Sequence, residues 1–317
     1  MTMRPGDRRW AAFAAPGADP AALNETAGGR RARRLMASLY EPYLLGRSPG
    51  LPARKVSGAC RLCGLDGELT FEHLPPSSAG NDRRAKGVSA WTMLEAGTAD
   101  FPRSGWVPSQ RGVGAYVTCA DCNNRFGRRH VTEYATLAQV AGDLLLGAVT
   151  VTEDSPGVPG TIDMNMNGFG LGLVTRQSLA MLVAVSGGAA LTKIHPDVRD
   201  YLLHGGPVPT GLRLGLALAL GNNIRLSPPV AAWSEEGVCV FVEVAAEPFR
   251  WTLSWEDEHL VASSGTADVT AWLALAEDVA KDASVSLPVG MIIGPSPGDT
   301  RDAASIAAQR AAWTTAA

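Results

Sequence analysis

The chain has 317 residues, 46% hydrophobic and 19% charged, with a net charge of −3. That composition excludes a disordered, fibrous or disulfide-scaffold protein and leaves room for two domains or one large one. Charge is unevenly placed: residues 1–130 hold 19 Lys and Arg against 11 Asp and Glu, while residues 131–317 hold 9 against 20.

The opening MTMRPGDRRW has no apolar core behind its arginines and does not read as a secretory signal. A cytoplasmic protein with reduced thiols is therefore expected. Residues 1–28, rich in Ala, Pro and Gly, read as a flexible lead. A basic GRRARR start followed by Leu35, Met36, Leu39, Tyr40 and Leu44 predicts an amphipathic helix over 29–45. A cysteine region follows, from Cys60 to Cys122. Beyond it, Phe126, Val131, Tyr134, Leu137, Val140, Ala141 and Leu144 recur near the helical period. Residues 29–150 are thus taken as one module, and Glu153 to Gly168, broken by Pro and Gly, as a linker.

Residues 169–295 read as a second, mixed domain. Helices are expected over 178–185, 197–203 and 267–280, and strands over 212–220, 238–244, 251–255 and 285–293. The pattern predicts an α+β fold with a mainly antiparallel sheet. Residues 296–317 read as a tail. The most apolar window, 178–192, is too short to span a bilayer, so no membrane partner is expected.

Four of the five cysteines form two CxxC pairs, Cys60-Cys63 and Cys119-Cys122, with 55 residues between the pairs. CxxC places two sulfurs on one tight turn, and two such turns complete a closed tetrahedral thiolate site for a structural zinc ion. The fifth, Cys239, lies in the apolar run VCVFV and reads as a core residue.

The segment between the pairs contains TFEHLPP, residues 70–76. A β-prone start runs into Glu72 and His73, and Pro75 and Pro76 then stop regular structure. An imidazole at such a fixed strand end can take a proton from an attacking water. A carboxylate and an amide oxygen can hold one hard divalent cation, Mg²⁺ or Mn²⁺, which offsets charge on a scissile phosphate. Asn123, directly after the second pair in CADCNNRFG, is the candidate amide.

The order CxxC, acid-His-x-x-Pro, CxxC-Asn resembles the HNH, or His-Me finger, endonucleases, and CxxCN followed by Phe126-Gly127 resembles their phage recombination branch. ELTFEHLPPSSAGN together with CADCNNRFG also resembles bacterial proteins known only as HNH endonucleases. The resemblance covers about 75 residues. It implies a zinc-clasped, treble-clef-like ββα-metal module with His73 as general base, Glu72 and Asn123 as cation ligands, and Cys60, Cys63, Cys119 and Cys122 around zinc. The chain departs from the pattern in three places: Glu72 stands where Asp is usual, Asn123 replaces the final histidine, and RGVGAYVT lacks the middle asparagine, for which Asn81 is the nearest substitute. EVAAEPFRWTLSW looks like a stretch in the same loosely described group and implies no function for the second domain.

The expected activity is metal-dependent hydrolysis of nucleic-acid phosphodiesters, DNA before RNA. Arg83 and Arg84, with Arg125, Arg128, Arg129 and His130 as a basic stripe, are the candidate phosphate contacts. The alternative is an inactive zinc module binding nucleic acid or a protein, in which Glu72-His73 is a solvated strand end and Asn123 a helix N-cap. The acidic C-terminal domain could mediate self-association or hold a protein partner.

Overall fold

The computed structural model describes residues 51–87, 107–109, 111–151, 160–186, 191, 195–221, 223–234, 237–255, 265–276 and 283–292. The lead at 1–28, the helix expected over 29–45 and the tail at 296–317 lie outside these residues.

Strands β1 (Ser57–Ala59), β2 (Asp66–His73) and β5 (Gly114–Cys119) form a three-stranded antiparallel sheet in the order β1-β2-β5. The insertion between β2 and β5 carries a two-stranded ribbon, β3 (Ala85–Gly87) with β4 (Val107–Ser109). Helix α1 (Ala120–Val151) leaves β5 directly, and Phe126, Tyr134, Leu137, Ala138, Ala141 and Leu145 form its buried stripe. Their 3.6-residue recurrence sets an apolar face against the core.

The second sheet has seven strands: β6 (Thr161–Asn165), β7 (Leu212–Leu220), β8 (Arg225–Ser234), β9 (Gly237–Ala246), β10 (Phe249–Trp255), β11 (Ala267–Asp268) and β12 (Ser284–Met291). Its order is β6-β12-β7-β10-β9-β8, with β11 paired to β7, and every pair is antiparallel except β12 with β7. Alternation along β7, β9 and β10 sends Leu214, Leu216, Leu218, Val242, Val244, Trp251 and Leu253 to one buried face.

Helix α2 (Leu171–Val185) packs on β9 and β10 on one side and on α1 on another. Every residue in it but Arg176 is buried, as expected of a helix that is apolar on nearly all sides. The shorter α3 (Pro196–His204) follows it. One cluster of buried apolar residues runs from Cys60 to Leu287, so the cysteine-bearing sheet and the large sheet share a core through α1 and α2.

The α+β class agrees with the sequence. Three local expectations do not. The stretch read as a linker contains β6, which pairs with β12. The helix expected over 267–280 is replaced, as far as 276, by β11 and a 3-10 turn at Thr270–Ala274; pairing with β7 overrides helical propensity there. No strand is expected from the sequence at β8, whose Pro228 and Pro229 cannot donate to a ladder. They fall where its register shifts against β9, between Ser227 and Val230, on an edge of the sheet.

Candidate metal centre and adjoining site

The sulfurs of Cys60, Cys63, Cys119 and Cys122 all lie within 4.8 Å of one another. The first pair sits on the turn between β1 and β2. Gly64 N–H donates to the Cys60 carbonyl at 2.8 Å, and Cys60 N–H to the Leu65 carbonyl at 2.9 Å. The second pair spans the junction of β5 and α1. The knuckles are held together by Arg61 N–H on the Val117 carbonyl, 2.9 Å, and by Cys119 N–H on the Cys60 sulfur, 3.3 Å. Cys63 and Cys119 sulfurs are 3.8 Å apart. Tetrahedral zinc with bonds of about 2.3 Å has sulfur–sulfur edges of about 3.8 Å, whereas a disulfide needs about 2.05 Å. All four thiols are free, and the cluster can hold a metal ion such as zinc.

The electrostatics agree. The Cys122 thiol's hydrogen bond, aided by backbone N–H groups and opposed by burial, lowers the Cys60 thiol to about 4. The same bond pushes Cys122 up, and burial raises Cys63. Packed without a cation, the sulfurs share protons; a divalent ion replaces those protons.

His73 is the last residue of β2. Its ring meets Phe71 edge-on at 5.0 Å, and Phe71 meets Tyr116 at 5.4 Å, so these three share one face of the sheet. His73 Nε2 lies 2.7 Å from the Arg111 carbonyl oxygen. A carbonyl only accepts, so Nε2 carries a hydrogen and Nδ1 is the ring nitrogen left facing away from this bond. The loop bearing Arg111 is fixed by Asn81, only 3% exposed. Its amide nitrogen donates to the Pro75 and Val113 carbonyls, and its oxygen accepts from Val113 N–H, all at 2.6 Å. Gly112, at φ +86°, lies where any Cβ would strike Asn81. Gly114 leaves room for the Phe71 ring and the Glu72 carbonyl.

Glu72 takes the opposite face. Thr118 Oγ1 donates to its Oε2 at 3.3 Å. The side chain as a whole is half-buried, but protein surrounds its carboxyl. That burial pushes the carboxyl up to about 7, against the Thr118 hydroxyl, which lowers it, and with the Cys60 sulfur, which raises it. The recess it lines is bounded also by Leu62, Cys122, Phe126, Gln177 and Met181.

Asn123 falls within the first turn of α1 and does not cap it. Its amide nitrogen donates to Thr70 Oγ1 at 3.0 Å and to the Phe71 carbonyl at 3.1 Å. Thr70 in turn donates to the Thr118 carbonyl at 2.9 Å. Asn123 and Glu72 are thus linked through Thr70 and Thr118, and Asn123 Oδ1 has no hydrogen bond among the described residues. His73 bonds to neither of them.

Arg83, Arg84, Arg111, Arg128 and Arg129 are exposed. Arg125, also exposed, donates to the Leu203 carbonyl near the end of α3 and so ties α1 to α3. His130 does not belong to a basic stripe: it is 5% exposed and its ring lies 4.7 Å from Phe126. Arg111, Gln177 and Thr118 carry no sequence signal of their own; only tertiary contacts single them out.

No family model, curated protein or solved structure matches the chain. What fold and site together define is an α+β protein with a four-cysteine cluster able to hold a metal ion. Among the described residues, no helix is long and apolar enough to cross a membrane.

Proposed function

We propose that the chain is a metal-dependent endonuclease of the HNH, or His-Me finger, kind, cutting DNA phosphodiesters in the cytoplasm, with zinc on the four cysteines as clasp of a ββα module. The observation that carries this reading is the held imidazole: His73 is fixed through Nε2 to a backbone carbonyl, at a strand end two residues from a sequence turn of prolines. In this reading Nδ1 accepts a proton from water as the water oxygen bonds to phosphorus. The bond from phosphorus to the leaving oxygen breaks, and that oxygen departs with its electron pair. Mg²⁺ or Mn²⁺, held by Glu72 and Asn123, would supply positive charge to the phosphate and the leaving oxygen. Arg83, Arg84, Arg128 and Arg129 would bind the flanking phosphates, and the acidic C-terminal part would serve assembly.

A second reading rests on one observation: Glu72 and His73 leave β2 on opposite faces, and the Glu72 carboxyl turns inward. That placement favours a zinc-clasped module that binds nucleic acid without cutting it. Plasmid, linear and single-stranded DNA incubated with the full chain and Mg²⁺ or Mn²⁺, beside His73→Ala, decides between the two. The nuclease reading expects nicking by the wild type that the variant loses while it still binds DNA. DNA binding with no cleavage by either protein supports the second reading.

A further inference from the structure

The recess beside Glu72 contains an amide that the nuclease reading does not use. Gln177 comes from α2, 105 residues further along the chain, and is only 1% exposed. Its Oε1 is buried without a hydrogen-bond partner. It shares the recess with Glu72 and Thr118. Gln177, Ala180, Met181 and Ala184 line it at helical spacing, so one face of α2 closes it.

Buried amide oxygens are almost always paired with protein, water or an ion. Here Glu72, Thr118 and Gln177, a carboxylate, a hydroxyl and an amide, line one recess. Glu72 Oε2 accepts the Thr118 hydroxyl, and among the described residues no hydrogen bond engages Oε1. Cys122, already part of the four-sulfur cluster, also borders the recess, and the buried Arg61 guanidinium donates to the Ala184 carbonyl beside it; the three oxygen-bearing side chains that remain suit a hard divalent cation better than zinc.

We propose that Gln177, with Glu72 and Thr118, is a protein ligand of the divalent cation in place of Asn123, which does not line this recess, so that helix α2 completes a site begun on β2. The inference rests on Glu72 being a cation ligand, as in the nuclease reading. It gives the C-terminal part a direct role: loosening α2 would remove a ligand as well as core packing.

The test uses the zinc-loaded full chain and Mn²⁺ as the probe, with affinity followed by electron paramagnetic resonance and thermal unfolding measured with and without Mn²⁺. Gln177→Ala should weaken Mn²⁺ binding at least about tenfold, the scale expected when a group supporting a metal is removed. Gln177→Leu keeps side-chain bulk and should lose the Mn²⁺-induced rise in Tm while remaining folded, because ligand binding raises stability only where a site exists. Gln177→Glu should bind more tightly than wild type. Unchanged Mn²⁺ affinity in Gln177→Ala and Gln177→Leu, with affinity lost in Glu72→Gln, overturns the inference and leaves the nuclease reading intact; the recess then holds water. No Mn²⁺ binding by the wild type overturns both. Gln177-dependent binding without DNA cleavage supports the inference and overturns the nuclease reading.

Discussion

The Nε2 atom of His73 sits 2.7 Å from the carbonyl oxygen of Arg111, a residue 38 positions along the chain. This bond orients the imidazole and leaves Nδ1 as its basic atom. His73→Ala should lower the cleavage rate on the order of 10²- to 10⁴-fold, the usual contribution of a positioned general base. Gly112→Ala should do part of the same damage from outside the site, because a Cβ at φ +86° meets Asn81 and must displace the Arg111 carbonyl. Single-turnover rates beside circular dichroism test this. A Gly112→Ala protein with wild-type rate would show that the carbonyl does not position the base.

Asn81 joins the turn after β2 to the start of β5 through three hydrogen bonds. Asn81→Ala leaves the Pro75 and Val113 carbonyls and the Val113 amide without these bonds. The expected loss is on the order of 3 kcal/mol, since each buried group left unpaired costs roughly 1–3 kcal/mol and some regain water. Denaturant unfolding measures it. A change under about 0.5 kcal/mol, typical of surface substitutions, would mean the loop holds without this residue.

One zinc per chain is expected on the four cysteines, and Cys119→Ser should release it. The β2–β5 ladder brings the two knuckles close, and a bound metal adds folding free energy where they meet. Elemental analysis gives the stoichiometry, and the variant should unfold at a clearly lower temperature. Equal Tm in variant and wild type, both zinc-free, would place the stability of this part elsewhere.

Glu72 gives a pH signature in the zinc-loaded protein without Mg²⁺ or Mn²⁺. Burial raises its carboxyl from the ordinary 4.5 to about 7. The folded state therefore holds this proton more tightly than the unfolded chain, and the resulting stability is lost as pH rises through 7. Wild type should lose roughly 1–2 kcal/mol relative to Glu72→Gln between pH 6 and pH 8. A difference that stays flat across this range would mean that the carboxyl is solvated in solution.

DNA affinity should fall with salt, as lysine and arginine displace counterions. Replacing Arg83, Arg84, Arg128 and Arg129 should flatten the slope of log K against log salt by about 0.9 for each phosphate no longer neutralised. Arg125→Ala should change stability more than slope, because its guanidinium bonds to the Leu203 carbonyl. A slope unchanged in the fourfold variant would remove these residues from the interface.

The sequence by itself determined whatever depends on short spacing. CxxC puts Cys60 beside Cys63 and Cys119 beside Cys122 on single turns, and the four sulfurs do gather within 4.8 Å. Strict alternation in LRLGLALAL marks β7 at its observed ends, and the apolar recurrence after Cys122 marks α1. Where tertiary pairing outweighed local preference, the sequence misled: β11 bonds to β7 in place of a helix, and β8 keeps two prolines because they fall at a register shift on the sheet edge. The site divides in the same way. Glu72, His73 and Asn123 are legible as residue types in a motif, but which face each takes depends on β2 pairing with β5 and on α1 packing across them. Only the folded chain sets Asn81 against Val113, the Arg111 carbonyl against His73, and Gln177 in the recess of Glu72. Those partners are separated by 32, 38 and 105 residues, and contacts between residues that far apart leave no local periodicity to read; the pairing of β2 with β5 brings the first two together, and the core shared by the two sheets through α1 and α2 the third.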